Sequence, residues 1–260
     1  MIGAAFGALA IAFAAAGARQ APAPAQPVFR TSVEVQVTSV SVDQLPLSVF
    51  MVLDTSASVS GERLQHLVDA GRGLVGALKA GDRAALVTFS QAVRVRVPLT
   101  ADLPRVADAV SALQGASATS LRDAIHLALQ LRGEDHSRPV VLVFTDGRDT
   151  ASWLSEAETI ESARRSGVVI EAVDVSDGAD APFLNRLTDV AGGRMWSATS
   201  EGNLRALFTK ALEEMRARYL LTFSPQGVAG EGWHELKVKL KGARGDVVAR
   251  PGYFRAAPRP

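Results

Sequence analysis

At 260 residues the chain has room for one large α/β domain with a smaller appendage, and 28 Lys+Arg against 27 Asp+Glu leave a net charge of +1. That balance gives no electrostatic case for nucleic acid. With no cysteine, the chain has no disulfide, thiolate metal site, cysteine nucleophile or lipidated cysteine.

Ile2 to Ala16 is almost wholly apolar, and Ala16-Gly17-Ala18 has the small-x-small form of a signal-peptidase site. Residues 1–18 are therefore expected to be a signal peptide and the protein to be exported (periplasmic, cell-surface or secreted). The run is short beside the about 20 apolar residues of a membrane span. Membrane attachment is expected only if this segment is retained. No Lys or Arg precedes it, which is atypical for a leader. Ala21-Pro-Ala-Pro-Ala-Gln-Pro27 suits neither helix nor sheet, so residues 19–30 read as a linker.

Val33, Val35 and Val37 alternate with polar residues, and Val40 and Val42 continue in the opposite phase. This predicts a β segment within 31–44, with a bulge or a break near Thr38-Ser39. Leu47 to Leu53 is a continuous apolar run of strand length, as expected for a strand buried on both faces of a parallel sheet. Helical spacing runs from Glu62 to Lys79, with Gly81 ending it. Arg83–Ser90 and Val93–Val97 read as a hairpin at the sheet edge.

Helices are expected at about 102–113 and 120–132, then a buried strand from Pro139 to Phe144. A helix at 152–166 leads to a strand at 168–173, a helix at 182–191, a short strand at 194–197 and a helix at 203–216. Strands alternating with helices predict a Rossmann-like, doubly wound, mostly parallel sheet with helices on both faces. After Arg218 the pattern becomes all-β, with alternation at Tyr219/Leu221/Phe223 and at Leu236/Val238/Leu240, and Val247-Val248 and Tyr253-Phe254 completing the tail. This tail is expected to join the 31–44 segment in a small side sheet.

Ligands of open α/β sheets bind beyond the carboxyl ends of the strands. Asp54, Ser56 and Ser58 leave the first buried strand at that edge, and Asp146 leaves another within Thr145-Asp146-Gly147. Thr119 immediately precedes a predicted helix. Two carboxylates and three hydroxyls, with no His or Cys, make an all-oxygen set suited to Mg²⁺, or to Mn²⁺ or Ca²⁺, rather than zinc. Each piece alone is a weak signal. D-x-S-x-S can be a capped turn, Thr119 a helix cap and Asp146-Gly147 a common turn. Their combination, each at a strand end or a helix start, is specific.

This combination resembles the metal-ion-dependent adhesion site of von Willebrand factor type A (VWA) domains. The resemblance covers about Leu47 to Arg216, and the flanks, with a Val-rich entry and a closing Arg-Pro-Gly-Tyr-Phe254, resemble exported bacterial VWFA-related proteins. It implies a VWA domain over 45–216 and a C-terminal β segment over 217–260. It also implies that Ser56, Ser58 and Thr119 ligate a divalent cation, with Asp54 and Asp146 bound directly or through water. The implied function is non-catalytic, with a Glu or Asp carboxylate of a partner protein completing the coordination. Two departures stand out: Ala118 occupies a position where many members have Gly, and the β segment ahead of the first buried strand is short.

The alternatives are a structural or assembly module of a cell-envelope complex, whose metal only stabilises loops, and, more weakly, a Mg²⁺-dependent phosphoesterase. A haloacid-dehalogenase-type phosphatase needs a second Asp two residues after the first, where this chain has Ser56. A Ser-His-Asp hydrolase lacks its G-x-S-x-G elbow. Gly71-x-Gly73-x-x-Gly76 matches a dinucleotide fingerprint but lies inside a helical pattern, so its glycines are expected to let that helix approach the sheet. His66, His126, His136 and His234 read as incidental, Asp123 as a first-turn acid favoured by the helix dipole rather than a ligand, and Asp149 as a solvated loop residue or, as the lesser alternative, a residue that supports the ligands from behind.

Overall fold

The computed structural model describes residues 7–13, 35–42, 45–115, 117–133, 137–146, 148–175, 181–197, 204–225, 232–239 and 247–255. Strands β1 (Gly7–Phe13) and β2 (Val35–Val42) precede β3 (Leu47–Asp54), α1 (Glu62–Gly76), β4 (Arg83–Phe89) and β5 (Val93–Thr100). Next come α2 (Leu103–Ser111), α3 (Leu121–Gln130), β6 (Arg138–Thr145), α4 (Glu156–Ser166) and β7 (Val169–Asp174). They are followed by α5 (Ala181–Ala191), β8 (Met195–Ser197) and α6 (Leu204–Arg216). The tail holds β9 (Tyr219–Pro225), β10 (Gly232–Glu235), β11 (Val247–Val248) and β12 (Gly252–Arg255). The chain divides into two units: Leu45–Leu212, and Met1–Gln44 with Glu213–Pro260.

In the larger unit a six-stranded sheet runs β5-β4-β3-β6-β7-β8. Every neighbouring pair is parallel except β4 with β5, which form the expected edge hairpin. All eight residues of β3 are buried, as its unbroken apolar run requires. Phe50 and Val52 face one helix layer, packing with Val141, Val143 and Ile170 against Leu121 and Ile125 of α3 and Leu184 of α5. Met51 and Leu53 face the other layer, where α1 crosses at Gly71. A Cβ at Gly71 would lie 3.0 Å from Val110 Cγ1 and 3.4 Å from Met51 Cε, so the close approach of helix to sheet expected here falls at Gly71. Phe144 of β6 meets Phe208 of α6 edge-on at 6.2 Å between ring centroids.

From β3 the chain crosses to β4 on one side, while β6 flanks it on the other, so the strand order reverses at β3. The crevice at such a reversal lies beyond the carboxyl ends of the two strands, here at Asp54 and Thr145-Asp146.

Some boundaries differ from expectation for identifiable reasons. Helix α1 stops at Gly76, and Gly81 takes a positive φ of 92° in the turn to β4. There the buried Asp82 carboxylate accepts the backbone N–H of Leu47 at 2.9 Å and of Lys79 at 2.7 Å. Helix α4 starts at Glu156 rather than near 152, because Ser155 and Glu158 form a reciprocal capping box that sets its first turn. The buried Glu171 of β7 accepts Arg194 N–H at 3.2 Å and Trp196 Nε1–H at 2.8 Å, clasping the short edge strand β8.

In the smaller unit a sheet runs β11-β1-β9-β2, with the two ends of the chain paired as expected. The β2–β9 register shifts between Val37 and Ser39, so of the bulge or break expected from the change of hydrophobic phase the strand has the former. Gly7–Phe13, inside the predicted leader, forms β1 between β9 and β11. The strand predicted around Leu236 lies earlier, as β10, paired with β12. Leu236 follows it and packs with Phe223, and its N–H donates to Pro251 O at 2.7 Å. The His234 ring stacks on Tyr253 at 5.3 Å. His136 lies outside the described residues.

The tightest backbone approach gives a test of this packing. A Cβ on Gly193, at the turn into β8, would fall 1.9 Å from Ile170 O. Gly193→Ala is expected to cost about 3 kcal/mol in urea unfolding. Gly76→Ala, where nothing lies within 4 Å, is expected to be neutral or slightly stabilising.

Candidate metal site

Asp54 is the last residue of β3, directly beside Thr145 in the parallel register with β6 (Leu53 pairs with Phe144). Its Oδ2 accepts the Thr145 hydroxyl at 2.9 Å, and its Oδ1 accepts the Ser56 backbone N–H at 2.8 Å. The chain then turns back so that Ser56 Oγ and Ser58 Oγ lie 3.0 Å apart. Ser58 Oγ donates to Asp146 Oδ1 at 2.8 Å, joining the first loop to the end of β6. Asp54, Ser56 and Asp146 are each less than a tenth exposed. Four of the five predicted site residues thus form one polar cluster.

Thr119, also buried, reaches the same sheet edge through its backbone. Thr119 O accepts Thr150 N–H at 2.9 Å and Ala151 N–H at 3.0 Å, and Thr119 N–H donates to Thr150 Oγ1 at 3.1 Å. Ser120 N–H bonds Ser90 O at 2.9 Å, beyond β4. Thr119 is therefore held between the loops that follow β4 and β6, the two strands flanking β3. Gly147 lies outside the described residues.

Two acids that the sequence treats as peripheral position this edge. Asp149 is not a solvated loop residue: its side chain is 5% exposed. Its Oδ2 accepts Arg122 N–H at 2.9 Å and Ser152 Oγ–H at 2.6 Å, and its Oδ1 accepts an Arg122 guanidinium N–H at 3.1 Å. Those hydrogen bonds hold its pKa below the usual carboxylate range despite partial desolvation. Asp123 works in the opposite direction from within α3, accepting Trp153 N–H and Leu154 N–H, each at 3.0 Å. Isolated Asp residues in a helix first turn and in a loop carry no local signal of this reciprocal clasp.

Arg63 is a further participant without a sequence signal. From the first turn of α1 its Nη1 reaches Asp146 Oδ2 at 3.3 Å, while its own side chain remains 48% exposed. A cationic side chain is thus already drawn to the Asp146 oxygen that Ser58 leaves free of its own bond.

Burial pushes the Asp54 carboxyl up to about 6, against its hydrogen bonds from Ser56 and Thr145, and the neighbouring Asp146 charge adds to the rise. A positive charge at this point would relieve both effects. Among the described residues no group of three or more His, Cys, Asp or Glu is gathered to hold a metal. The two carboxylates with their hydroxyls are a hard oxygen set, whose donor chemistry suits Mg²⁺-like rather than thiophilic ions.

A mostly parallel α/β sheet with an oxygen-rich cluster at its switch point defines the class of protein. The family profile described as the von Willebrand factor type A domain matches residues 48–210, and the chain belongs to that family. Among curated proteins it is 23% identical over 165 residues to the inter-alpha-trypsin inhibitor heavy chain H2 of Sus scrofa, covering 57% of this chain and 18% of that protein. It is also 24% identical over 110 residues to an uncharacterised Synechocystis protein, covering 41% of this chain and 26% of that one. The chain thus spans only a fraction of the length of these relatives.

Among solved structures, a von Willebrand factor type A protein from Catenulispora acidiphila aligns with TM-score 0.61 at 13% identity, covering 97% of this chain and 73% of that one. Proximal thread matrix protein 1 from the mussel byssus, with a zinc-occupied MIDAS motif, aligns with TM-score 0.60 at 18% identity, covering 72% of this chain and 49% of that one. The vWF domain of the type V pili tip protein Mfa5 from Porphyromonas gingivalis aligns with TM-score 0.55 at 14% identity, covering 65% of this chain and 94% of that one. At these identities the likeness is one of fold.

The departure at Ala118 has a structural counterpart. Its φ of 58° is the one positive value at a non-glycine residue among those described, in the left-handed region that glycine occupies without penalty. Ala118→Gly is expected to raise stability by up to about 1 kcal/mol, since the relieved strain exceeds the added unfolded-state entropy. A melting-temperature increase checks it.

The raised Asp54 carboxyl also sets a pH dependence for the protein in EDTA. The folded state binds this proton more tightly than the unfolded chain, so the contribution is fully present below about pH 4. It is lost as pH rises through about 6, a decrease of about 3 kcal/mol. Urea unfolding across that range is expected to show a larger decrease for the parent chain than for Asp54→Asn.

Proposed function

We propose that the domain is a cation-dependent protein-binding module. Ser56, Ser58 and Thr119 would hold a divalent ion, most simply Mg²⁺, with Mn²⁺ and Ca²⁺ as chemical alternatives, and Asp54 and Asp146 would bind it directly or through water. The observation that carries this reading is the continuous Ser56–Ser58–Asp146 contact beside the buried Asp54. It brings two like charges and their hydroxyls together at the switch point of the sheet.

When bound, the cation supplies a Lewis-acidic position for one exchangeable anionic oxygen. The chain supplies the rest. Asp54 and Asp146 offset the ionic charge, and the neutral hydroxyls leave it electrophilic enough to accept a Glu or Asp carboxylate of a partner protein. The Asp123–Asp149 clasp keeps Thr119 in register, and the surrounding loops determine which partner fits.

The proposed location is outside the cytoplasm, from the leader-like composition of Ile2–Ala16, of which Gly7–Phe13 pairs as β1 with β9 and β11. Among the described residues no helix is long and apolar enough to cross a membrane. A second reading draws on the same contacts: since Ser58 and Asp146 already join two loops, the ion would only fasten an assembly module of a cell-envelope complex.

Titration with Mn²⁺, followed by electron paramagnetic resonance, tests the ion site. Ser56→Ala and Asp146→Ala are expected to weaken binding at least about tenfold. Arg63→Ala is expected to tighten it about two- to five-fold by removing a partly exposed competing charge. Capture from a cell-envelope extract in Mg²⁺, with elution by EDTA, separates the two readings. Capture indifferent to EDTA and to Ser56→Ala would sink the adhesion reading and favour the assembly module.

A further inference from the structure

We infer that Trp153 is a second, metal-independent anchor on the rim of this site, and that it selects partners with an apolar side chain close to the acidic one. The inference rests on the adhesion reading and adds a recognition rule to it.

Trp153 is 96% exposed, whereas the other exposed large hydrophobics among the described residues, Leu45 and Val95, are 40% and 37% exposed. An indole left in water forgoes the burial of about 150–250 Å² that this side chain can provide. Solitary surface apolar residues are common and need no explanation by themselves. The backbone around this one is what sets it apart.

Trp153 N–H and Leu154 N–H both donate to the Asp123 carboxylate at 3.0 Å. On the other side, Ser152 N–H donates to Asp149 Oδ1 at 3.1 Å, Ser152 Oγ donates to Asp149 Oδ2, and Asp123 N–H donates to Ser152 Oγ at 3.2 Å. One residue further, Ser155 caps α4. The indole is therefore presented from a fixed main chain, so its engagement requires little ordering of the loop.

The same loop carries it to the site. Ala151 N–H bonds Thr119 O at 3.0 Å, and Trp153 is two residues on, within about 7 Å of Ala151 along the chain. The Trp153 backbone thus stands within about 10 Å of the Thr119 carbonyl, a distance spanned by about three residues of extended peptide. Arg63, half exposed beside Asp146, adds positive charge to the site. A cationic centre for which Thr119 is a proposed ligand, and a preorganised aromatic within about 10 Å of the Thr119 carbonyl, match one kind of occupant. It is an extended protein segment with Asp or Glu and, two to four positions from it, Leu, Ile, Phe or Trp. Fixed aromatic anchors of this type carry a large share of binding energy at interfaces.

The test uses random linear 12-residue peptides displayed on phage, selected against the immobilised full chain in Mg²⁺, eluted first with EDTA and then with acid, the two pools being sequenced separately. The expected result is enrichment of an acidic residue with an apolar residue two to four positions away. Selection on Trp153→Ser is expected to keep the acid and lose the apolar preference. The best synthetic peptide should bind that variant at least tenfold more weakly, with Mn²⁺ affinity and melting temperature unchanged. An acid enriched without an apolar neighbour, or equal binding to Trp153→Ser, overturns the anchor and leaves the adhesion reading intact. Peptides that lack an acid and ignore EDTA, yet need Trp153, overturn the adhesion reading instead. If no peptide is enriched, both are overturned.

Discussion

Two carboxylates are held at the ends of adjacent parallel strands, and the design of the site depends on that constraint. The β3–β6 register sets Asp54 beside Thr145, with Asp146 one step further. Each strand is buried up to that edge, so neither acid can retreat into water. Such a like-charged pair is costly unless hydrogen bonds and a cation compensate. Thr145, the Ser56 N–H and Ser58 supply the hydrogen bonds, and Arg63 supplies a partial positive charge. The raised Asp54 pKa reports that this compensation is incomplete.

The clasp between the start of α3 and residues 149–154 turns that edge into a surface. Asp149 accepts the Arg122 N–H near the start of α3, and Asp123 returns the favour to the 153–154 backbone. Thr119 sits inside this reciprocal pair, next to the left-handed Ala118. Main-chain strain next to this candidate ligand is tolerable because the surrounding hydrogen bonds over-determine the loop. The same bonds fix the main chain that bears the exposed Trp153, so one polar network holds both a candidate ligand and the backbone of an aromatic residue.

The family relationship and the site inform different levels. Membership in the von Willebrand factor type A family rests on the match over residues 48–210 and agrees with a protein-interaction module. The structural relatives share the fold at identities from 13% to 18%. At such identities any partner preference resides in the loops of this chain, which is why Arg63 and Trp153 carry more information than the sheet beneath them. The Val-rich entry and the β tail form a separate unit with its own small apolar cluster around Phe223 and Leu236.

The sequence by itself determined the alternation of strands and helices, the edge hairpin, the β2 bulge and the position of the five oxygen-bearing residues at strand ends and a helix start. These follow from short-range periodicity, where a strand apolar on both faces stands out and a change of hydrophobic phase marks an interruption of the ladder. The clasping roles of Asp123 and Asp149, the reach of Arg63 to Asp146 and the late start of α4 belong to the tertiary structure. So does the exposure of Trp153. Each joins residues far apart along the chain, as with Arg63 and Asp146, or depends on which loop packs over which helix end. An acid in a loop looks the same in sequence whether water or a helix N-terminus solvates it, and only the folded chain decides between them.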